Sequence, residues 1–426
     1  MSSQKPARGN CKADIWMTLA AMVVAVLMIV AATQMEAQTL TVLHTFTGNG
    51  DGGVPFAGLT IDQAGNFYGT TSIGGAGYGT VFKLTHLGSS WILSTLYAFQ
   101  GGNDGGYPYA RVVFGRDGAL YGTTSGYGNN AGYGTVFRLT PPSHPCRSIN
   151  CPWTETVLYP FAGGADGADP GYGDLAFDAA GNIYGTTMFG GGEGGNCSPY
   201  DNCGVVFKLS RSGESWTESV LYSFSQVGNA GDVPEAGVIL DSAGNLYGTT
   251  LLGGTEGQGV VFQLTQSGSG WTLTVLHSFG AINDGAQPFG GLVIDQQGNL
   301  YGTTIFGTTT QNGGTIYELQ PAGGSWSYSI VNLIPGSDFT IGPEDVFTVD
   351  AAGNLYATNY SSSRGAGSVF KLTHSGGSWT YTGLHDFTGH DGAYPSGSVV
   401  LDAHGNIYGT TSNFEDGYGE IWEITP

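Results

Sequence analysis

"GNLYGTT", residues 244–250, is one of seven near copies of a short phrase that recurs along the chain. The copies are centred on Tyr68, Tyr121, Tyr184, Tyr247, Tyr301, Tyr356 and Tyr408. Consecutive centres are 53, 63, 63, 54, 55 and 52 residues apart. A period of about fifty residues is typical of propeller blades, with a solenoid as the rival architecture.

Each copy has three companion phrases, so one repeat contains four short segments of strand-like sequence. In the fourth repeat the companions are "GVILD" (237–241), "GVVFQLT" (259–265) and "WTLTVLHSF" (271–279). All are rich in β-branched and aromatic residues and are bounded by Gly, Asn or Asp. Each repeat is therefore predicted to form four antiparallel strands, the first two joined by a D-x-x-G-N turn.

The two ends of the repeat array complement each other. The Trp-led phrase occurs six times, and the last repeat stops at "GEIWEITP" (419–426) without one. Near the start, "LTVLHTF" (40–46) matches the tail of "WTLTVLHSF". Pairing the two ends would remove two exposed sheet edges. We predict an all-β fold: one domain over residues 38–426, a seven-bladed β-propeller of four-stranded antiparallel blades whose last blade is closed by the N-terminal strand. The seven Tyr residues are expected to be scaffold.

Residues 1–37 have the pattern of a targeting segment. Lys5, Arg8 and Lys12 precede an apolar run over residues 15–32. We expect an export signal or, if it is not cleaved, an N-terminal membrane anchor, and hence a secreted or cell-surface protein outside the cytoplasm. Cysteine usage agrees, because Cys146 with Cys151 and Cys197 with Cys203 form two close pairs that predict two local disulfides.

The charge balance excludes one class of partner. The formal net charge is −21, and only nine of the 12 Lys and Arg lie beyond residue 37. Nucleic-acid binding requires a basic surface, so it is not expected. Charged residues make up 11% of the chain, which also holds 23 Tyr and 21 Phe. An aromatic, hydroxyl-rich surface suits a carbohydrate ligand, and a monomer is expected.

Differences between the copies indicate where binding could occur. In a propeller the links 2→3 and 4→1 share one face, and strand one is innermost. Just before strand one, where three copies have Gly, the second and third have Arg111 and Asp174. These two side chains are expected to form a charge pair or a shared polar site. The other candidates near this position or in a 4→1 link are Tyr109, Tyr172, Glu235, Phe289, Glu344 and His390.

Five Asp residues precede Gly in the 4→1 links, namely Asp51, Asp104, Asp166, Asp284 and Asp391. They are expected either to form turns or to bind Ca²⁺. No nucleophile elbow, zinc-protease or phosphate-loop motif is found in the sequence, and no catalytic residue is assigned. The leading function is an exported binding or display propeller that contacts a glycan or surface protein. The alternatives are an extracytoplasmic lyase or hydrolase acting on polysaccharide, and a purely structural cell-surface protein.

The combination of "GNLYGTT", "GTVFKLT" (79–85) and the D-G…P links resembles the GloVer-type tandem-repeat proteins, also called choice-of-anchor repeat proteins. The resemblance covers nearly all of residues 39–426. It implies an exported, surface-associated bacterial protein and implies no activity.

Overall fold

The computed structural model describes residues 38–125, 132–144, 153–192, 202–213, 215–225, 229–280, 284–307, 313–334, 346–360, 365–413 and 417–425. The export or anchor segment proposed for residues 1–37 lies outside this range. Among the described residues, no helix has the length and apolarity that crossing a membrane would require.

The described chain consists of 28 short strands. In order they are β1 (Thr39–Thr45), β2 (Thr60–Ile61), β3 (Phe67–Thr71), β4 (Thr80–Leu87), β5 (Ser90–Ala98), β6 (Val113–Phe114), β7 (Leu120–Thr124), β8 (Thr135–Thr140), β9 (Thr154–Pro160), β10 (Ala176–Phe177), β11 (Ile183–Phe189), β12 (Asn202–Ser212), β13 (Ser215–Ser223), β14 (Ile239–Leu240), β15 (Leu246–Thr250), β16 (Val260–Ser267), β17 (Gly270–Ser278), β18 (Val293–Ile294), β19 (Leu300–Thr304), β20 (Thr315–Ala322), β21 (Ser325–Leu333), β22 (Thr348–Val349), β23 (Leu355–Asn359), β24 (Ser368–Ser375), β25 (Ser378–Asp386), β26 (Val400–Leu401), β27 (Ile407–Thr411) and β28 (Glu420–Thr425).

These strands form seven four-stranded antiparallel sheets, which are the seven blades of a closed ring. Six blades use four consecutive strands, from β2–β5 to β22–β25. The seventh has the order β1-β28-β27-β26, and β1 pairs with β28 from Thr39↔Thr425 to Thr45↔Glu420. The predicted all-β seven-bladed propeller, closed by the N-terminal strand, is confirmed.

The Gly of the repeated "YGTT" phrase makes room for an aromatic ring from the neighbouring strand of its own blade. A Cβ on Gly69 would lie 2.5 Å from Cζ of Phe82, which is fully buried. The same pairing recurs between Gly122 and Phe137, Gly185 and Phe207, Gly248 and Phe262, Gly302 and Tyr317, and Gly409 and Trp422. In six blades the Gly of the phrase therefore makes room for one large ring in the core, and the sixth blade has Ala357 at this position.

The Tyr of the phrase joins its strand to the preceding turn. The Tyr68 hydroxyl donates to Asp62 Oδ2 at 3.1 Å, and the same carboxylate accepts bonds from Ala64 N, Asn66 N and Asn66 Nδ2. Partial burial by itself would raise the pKa of Asp62, but these hydrogen bonds lower it overall. The seven Tyr residues are 4–9% exposed, in agreement with the scaffold role predicted for them.

The two Thr residues of the phrase have separate partners. Thr70 Oγ1 donates across the blade boundary to Ala110 O at 3.0 Å, and Thr410 Oγ1 does so to Ala57 O at 3.0 Å, which joins the seventh blade to the first. The second Thr stays within its blade, where Thr71 Oγ1 contacts Ile73 O and Thr80 Oγ1. One phrase thus supplies contacts within a blade and between blades.

Two outer strands carry buried carboxyl groups that the sequence interpretation did not single out. Glu155 on β9 and Glu218 on β13 lie near Asp104 and Asp166 respectively. Burial raises the pKa of each glutamate to about 7, and the neighbouring aspartate adds to the rise. Glu155 Oε1 and Glu218 Oε1 are buried without a hydrogen-bond partner. Both groups therefore disfavour the folded state once they are ionised.

Replacing Glu155 with Gln is expected to flatten the pH dependence of stability. The pKa of Glu155 is about 7 when folded against a usual 4.5, so the folded state holds a proton that the unfolded state loses. Each such group contributes stability at low pH that is lost as the pH rises from about 4.5 to about 7. After allowance for solvent screening, Glu155→Gln should gain on the order of 1 kcal/mol near pH 8 and little near pH 4. Urea unfolding between pH 4 and pH 8 measures the free energy of unfolding of parent and variant. If Glu155→Gln showed the same pH dependence as the parent, Glu155 would not be the source of the effect.

Candidate functional site

The 4→1 links are held rigidly between adjacent blades. In six of them the residue before Pro has φ of 55–59° although it is not Gly; these residues are Val54, Tyr107, Asp169, Val233, Gln287 and Tyr394. In the first link, Val54 N donates to Tyr418 O of the preceding blade at 2.6 Å, and Val54 O accepts from Ser72 N at 3.1 Å. Backbone bonds on both sides fix this unfavourable conformation, so the residues that follow Pro are presented in a defined position.

Three aromatic side chains from adjacent blades form a continuous row. The rings of Tyr109 and Tyr172 are stacked, with centroids 4.9 Å apart and an interplanar angle of 6°. Phe56 packs its ring against Tyr109 at 5.5 Å and 72°. All three are partly exposed. We call Phe56, Tyr109 and Tyr172 the aromatic row; it crosses the first three blades at the inner end of their 4→1 links.

The structure brings Arg111 and Asp174 together beside this row. Arg111 Nε and Nη2 both donate to Asp174 Oδ2, at 2.9 and 2.5 Å. The two side chains are 26% and 28% exposed, so solvent or a ligand can reach the pair. The charge pair expected from the sequence is present, while its part in binding stays a prediction.

The pair and Tyr172, the last ring of the aromatic row, border a cavity of about 180 Å³. Arg111, Tyr172 and Asp174 supply its polar and aromatic lining. The remaining wall is mostly apolar and comes from the second to sixth blades, including Leu175, Val238, Leu292 and Val346. Because strand-one residues of several blades meet here, the cavity lies on the inner side of the ring.

Glu235 occupies the place of the aromatic row in the fourth blade but is 8% exposed. Burial raises the pKa of Glu235 to about 8, and Asp169 adds to the rise. Asp169 is 3% exposed and was missed by the sequence analysis. One feature of the sequence could have identified Asp169: it precedes Pro170, at a position where most sister links have an apolar or aromatic residue. At neutral pH Glu235 is mainly protonated, so it can donate a hydrogen bond.

Two other predicted residues that the structure describes, Phe289 and His390, do not line this cavity. Phe289 is partly exposed in the fifth link. His390 is exposed and lines a different cavity, of about 770 Å³, with Asn413, Tyr418 and Glu420. Glu344 lies outside the described residues.

The Asp–Gly residues of the 4→1 links make turn contacts. Asp104 accepts from Gln100 N, Gly102 N and the Tyr97 hydroxyl, and Asp166 has the same set of contacts in the next link. Where the strand carries His instead of Tyr, His385 Nε2 lies 2.8 Å from Asp391 Oδ2, and His44 and His277 lie 3.3 Å from Asp51 and Asp284. No group of three or more His, Cys, Asp or Glu able to hold a metal ion occurs within the described ranges. Calcium binding stays an untested prediction.

The cysteine prediction falls mostly on residues that the structure does not describe. Cys203 is the second residue of β12 and is completely buried. Cys146, Cys151 and Cys197 lie outside the described residues, so both local pairings stay predictions.

The comparisons with known proteins agree with the repeat and the fold. The sequence matches the family described as "Gloeobacter/Verrucomicrobia repeat" over residues 29–196, 148–333 and 272–426. The chain therefore belongs to this repeat family, as its phrases predicted. No curated protein sequence matches it.

Two of the solved structures to which this chain is similar come from Porphyromonas gingivalis and Bacteroides uniformis. PorZ of Porphyromonas gingivalis, titled an essential bacterial surface component of the type-IX secretion system, is similar at 14% identity and a TM-score of 0.51. The match covers 87% of this chain and 46% of that one, so this chain spans less than half of PorZ. A protein of Bacteroides uniformis titled a putative 6-phosphogluconolactonase is similar at 13% identity and a TM-score of 0.44, over 76% of this chain and 83% of that one.

Proposed function

We propose that this member of the Gloeobacter/Verrucomicrobia repeat family is an exported binding or display propeller that holds a carbohydrate at the face formed by its 2→3 and 4→1 links. The observation that carries the proposal is the aromatic row beside the Arg111–Asp174 pair at the mouth of the inner cavity. The signal-like segment before residue 38 supports a location outside the cytoplasm.

The chemistry of this surface suits a sugar better than a phosphate or an ion. Aromatic rings offer apolar faces and edges to the C–H side of a pyranose, and Tyr hydroxyls add hydrogen bonds. A guanidinium has five N–H donors, of which two are directed to Asp174, so further donors remain for ligand hydroxyls. Asp174 offsets the positive charge of Arg111, and the site therefore does not select for anions.

The burial of the acidic candidates favours binding over catalysis. A polysaccharide hydrolase or lyase needs carboxyl groups that reach the substrate. Glu235 has the raised pKa of a general acid, yet it and Asp169 are 8% and 3% exposed. The enzyme alternative would require these residues to become accessible, whereas the aromatic row and the Arg–Asp pair are already accessible.

Arg111→Ala and Tyr172→Leu are each expected to weaken glycan binding about tenfold or more, measured on a carbohydrate array and then by calorimetry with the best ligand. Removing one stacking or charged hydrogen-bonding group from a sugar site costs roughly 1–3 kcal/mol, which is about tenfold or more in affinity. Arg116→Ala is the matched control, because Arg116 is exposed in the 1→2 turn of the same blade and donates to Ala179 O.

Thermal unfolding of the same variants distinguishes glycan binding from the alternative in which the Arg111–Asp174 pair only supports the fold. If the pair only supports the fold, Arg111→Ala should lower stability by roughly 1–3 kcal/mol because Asp174 is left unpaired. Absence of any retained glycan, or equal binding by parent and Arg111→Ala, would reject the proposal. Recovery of a shortened glycan after incubation would favour the enzyme instead.

A further inference from the structure

A second, larger cavity lies on the opposite face, at the boundary between the seventh and first blades. Its volume is about 660 Å³. The 1→2 turns of both blades line it with Asp62 and Asp402, and β28 contributes Glu423. Its remaining side chains include His86, Trp91, His404 and Tyr408, and His404 Nδ1 lies 3.7 Å from Asp402 Oδ2. No Lys or Arg is among the residues that line it.

Four sister blades show what this position normally holds. In each of these blades, a Lys or Arg on strand three lies over the ring of the repeat Tyr on strand two. The pairs are Lys83 over Tyr68 at 5.4 Å, Arg138 over Tyr121 at 5.9 Å, Lys208 over Tyr184 at 5.5 Å and Lys371 over Tyr356 at 5.1 Å. Arg138 also forms an ion pair with the turn carboxylate Asp117 at 2.6 Å. In four of the seven blades, therefore, the fold places a cation over the ring of the repeat Tyr.

In the seventh blade the residue at that position is Glu423. The Tyr408 hydroxyl lies 2.8 Å from Glu423 Oε1 and 3.2 Å from Asp402 Oδ2. A hydroxyl has one proton and can satisfy only one of these two carboxylates as a donor. The position that is cationic in four blades thus carries a second carboxylate beside Asp402 here, and Asp62 lines the same cavity.

Two other blades also lack a cation over the repeat Tyr, and in both the side chain at that position makes its own hydrogen bonds. In the fourth, Gln263 Nε2 donates to the Tyr247 hydroxyl at 2.8 Å. In the fifth, the Tyr301 hydroxyl lies 2.8 Å from Glu318 Oε1 and 3.1 Å from Asp295 Oδ2, as Tyr408 does from Glu423 and Asp402. Glu318 differs from Glu423 because it is 8% exposed and also accepts from Gln320 Nε2 at 3.0 Å. Glu423 is partly exposed and faces the open cavity. The seventh blade therefore differs from both.

The walls of the cavity are suited to an organic cation rather than a bare metal ion. Phe67 packs on Tyr408 with ring centroids 4.4 Å apart, and Trp91 lies 5.5 Å from Phe67. The ring of His86 packs on Trp91 at 4.7 Å. Aromatic faces next to carboxylates bind alkylammonium and guanidinium groups, because the rings contact the apolar part of the ligand and the carboxylates its charge.

We propose that the cavity between the seventh and first blades, lined by Trp91, Tyr408, Asp402 and Glu423, is a binding site for an organic cation carrying an alkylammonium or guanidinium group. The ligand takes the place that a Lys or Arg side chain of the protein fills in four sister blades. This site is separate from the proposed carbohydrate face and does not depend on it.

The test uses n-butylammonium and propylguanidinium as probes, followed by NMR and by the fluorescence of the purified protein, with n-butanol as the uncharged comparison. Saturable binding of at least one cation is expected, with no saturable response to n-butanol. Glu423→Lys supplies the cation of the sister blades and should weaken binding at least about tenfold. Glu256→Lys makes the same charge change at an exposed residue of a 2→3 link and should leave binding unchanged.

Glu423→Lys is expected to melt no lower than the parent, because four blades already accept a cation at this position. No saturable binding of either cation by the parent would overturn the proposal. Equal binding by Glu423→Lys and the parent, or an equal loss in Glu256→Lys, would also overturn it, since the effect would then reflect the overall charge of −21.

Discussion

Deletion of residues 38–46 is expected to lower the free energy of unfolding by more than about 5 kcal/mol and to cause aggregation. The deletion removes β1, which pairs with β28 over the whole length of that strand. It also removes Phe46, which is 3% exposed and packs on Phe82 of the first blade at 5.3 Å. Loss of a buried Phe alone costs roughly 3–5 kcal/mol, and β28 would be left as an unpaired edge. Urea unfolding and light scattering measure the two effects.

A transplanted strand provides the control for this deletion. In the sister blades, strand three continues into strand four through a short hairpin such as His374–Trp379. Adding that hairpin and the "LTVLHTF" sequence after residue 426 of the shortened chain would supply the same strand from the other terminus. Recovery of stability is expected, since an antiparallel partner of β28 is restored. If the shortened chain is as stable as the parent, β1 does not close the ring in solution.

The fold could be predicted because its determinants are local and repeated. Gly69, Tyr68 and Thr70 each have a partner that recurs in most blades, so the phrase that contains them recurs and reveals the period. The closure was also visible, because "LTVLHTF" could only be a strand four without a blade of its own. The charge pair was found by a comparison of copies: Arg111 and Asp174 depart from Gly at the same position in adjacent blades.

Other features could not be read from one sequence because they depend on neighbours in space. Val54 and Val233 have φ of 56° and 59°, which a β-branched residue avoids, and only the backbone bonds of two adjacent blades hold them there. The burial of Glu235 beside Asp169 also depends on packing between links. The cation cavity was missed for a different reason. Its signal is Glu423 in "GEIWEIT", where four copies have Lys or Arg, but the search for binding residues considered only the face of the 2→3 and 4→1 links.

Gly79→Ala is expected to destabilise the protein by about 3–4 kcal/mol, because two penalties coincide at this glycine. Its φ is +90°, a conformation that costs an L-residue roughly 1–2 kcal/mol. In addition, a Cβ at Gly79 would lie 2.2 Å from Thr71 O of its own blade and 2.8 Å from Cδ of Pro108 in the next blade's link. Relieving such overlap moves backbone on both sides of a blade boundary and costs roughly a further 1–3 kcal/mol. Chemical denaturation of the variant measures the loss.

Gly77→Ala separates these two penalties. Gly77 has φ of +104° in the same link, but nothing lies within 4 Å of its would-be Cβ, so only the conformational cost of about 1–2 kcal/mol is expected. The difference between the two variants therefore measures the close approach of Pro108 to Gly79. The same approach recurs in five other blades, for example between Gly134 and Pro170 and, across the closure, between Gly419 and Pro55. Equal losses in Gly77→Ala and Gly79→Ala would mean that φ alone selects glycine at the start of "GTVFKLT". A larger loss in Gly79→Ala would show that the phrase also contains glycine because the next blade's proline packs against it.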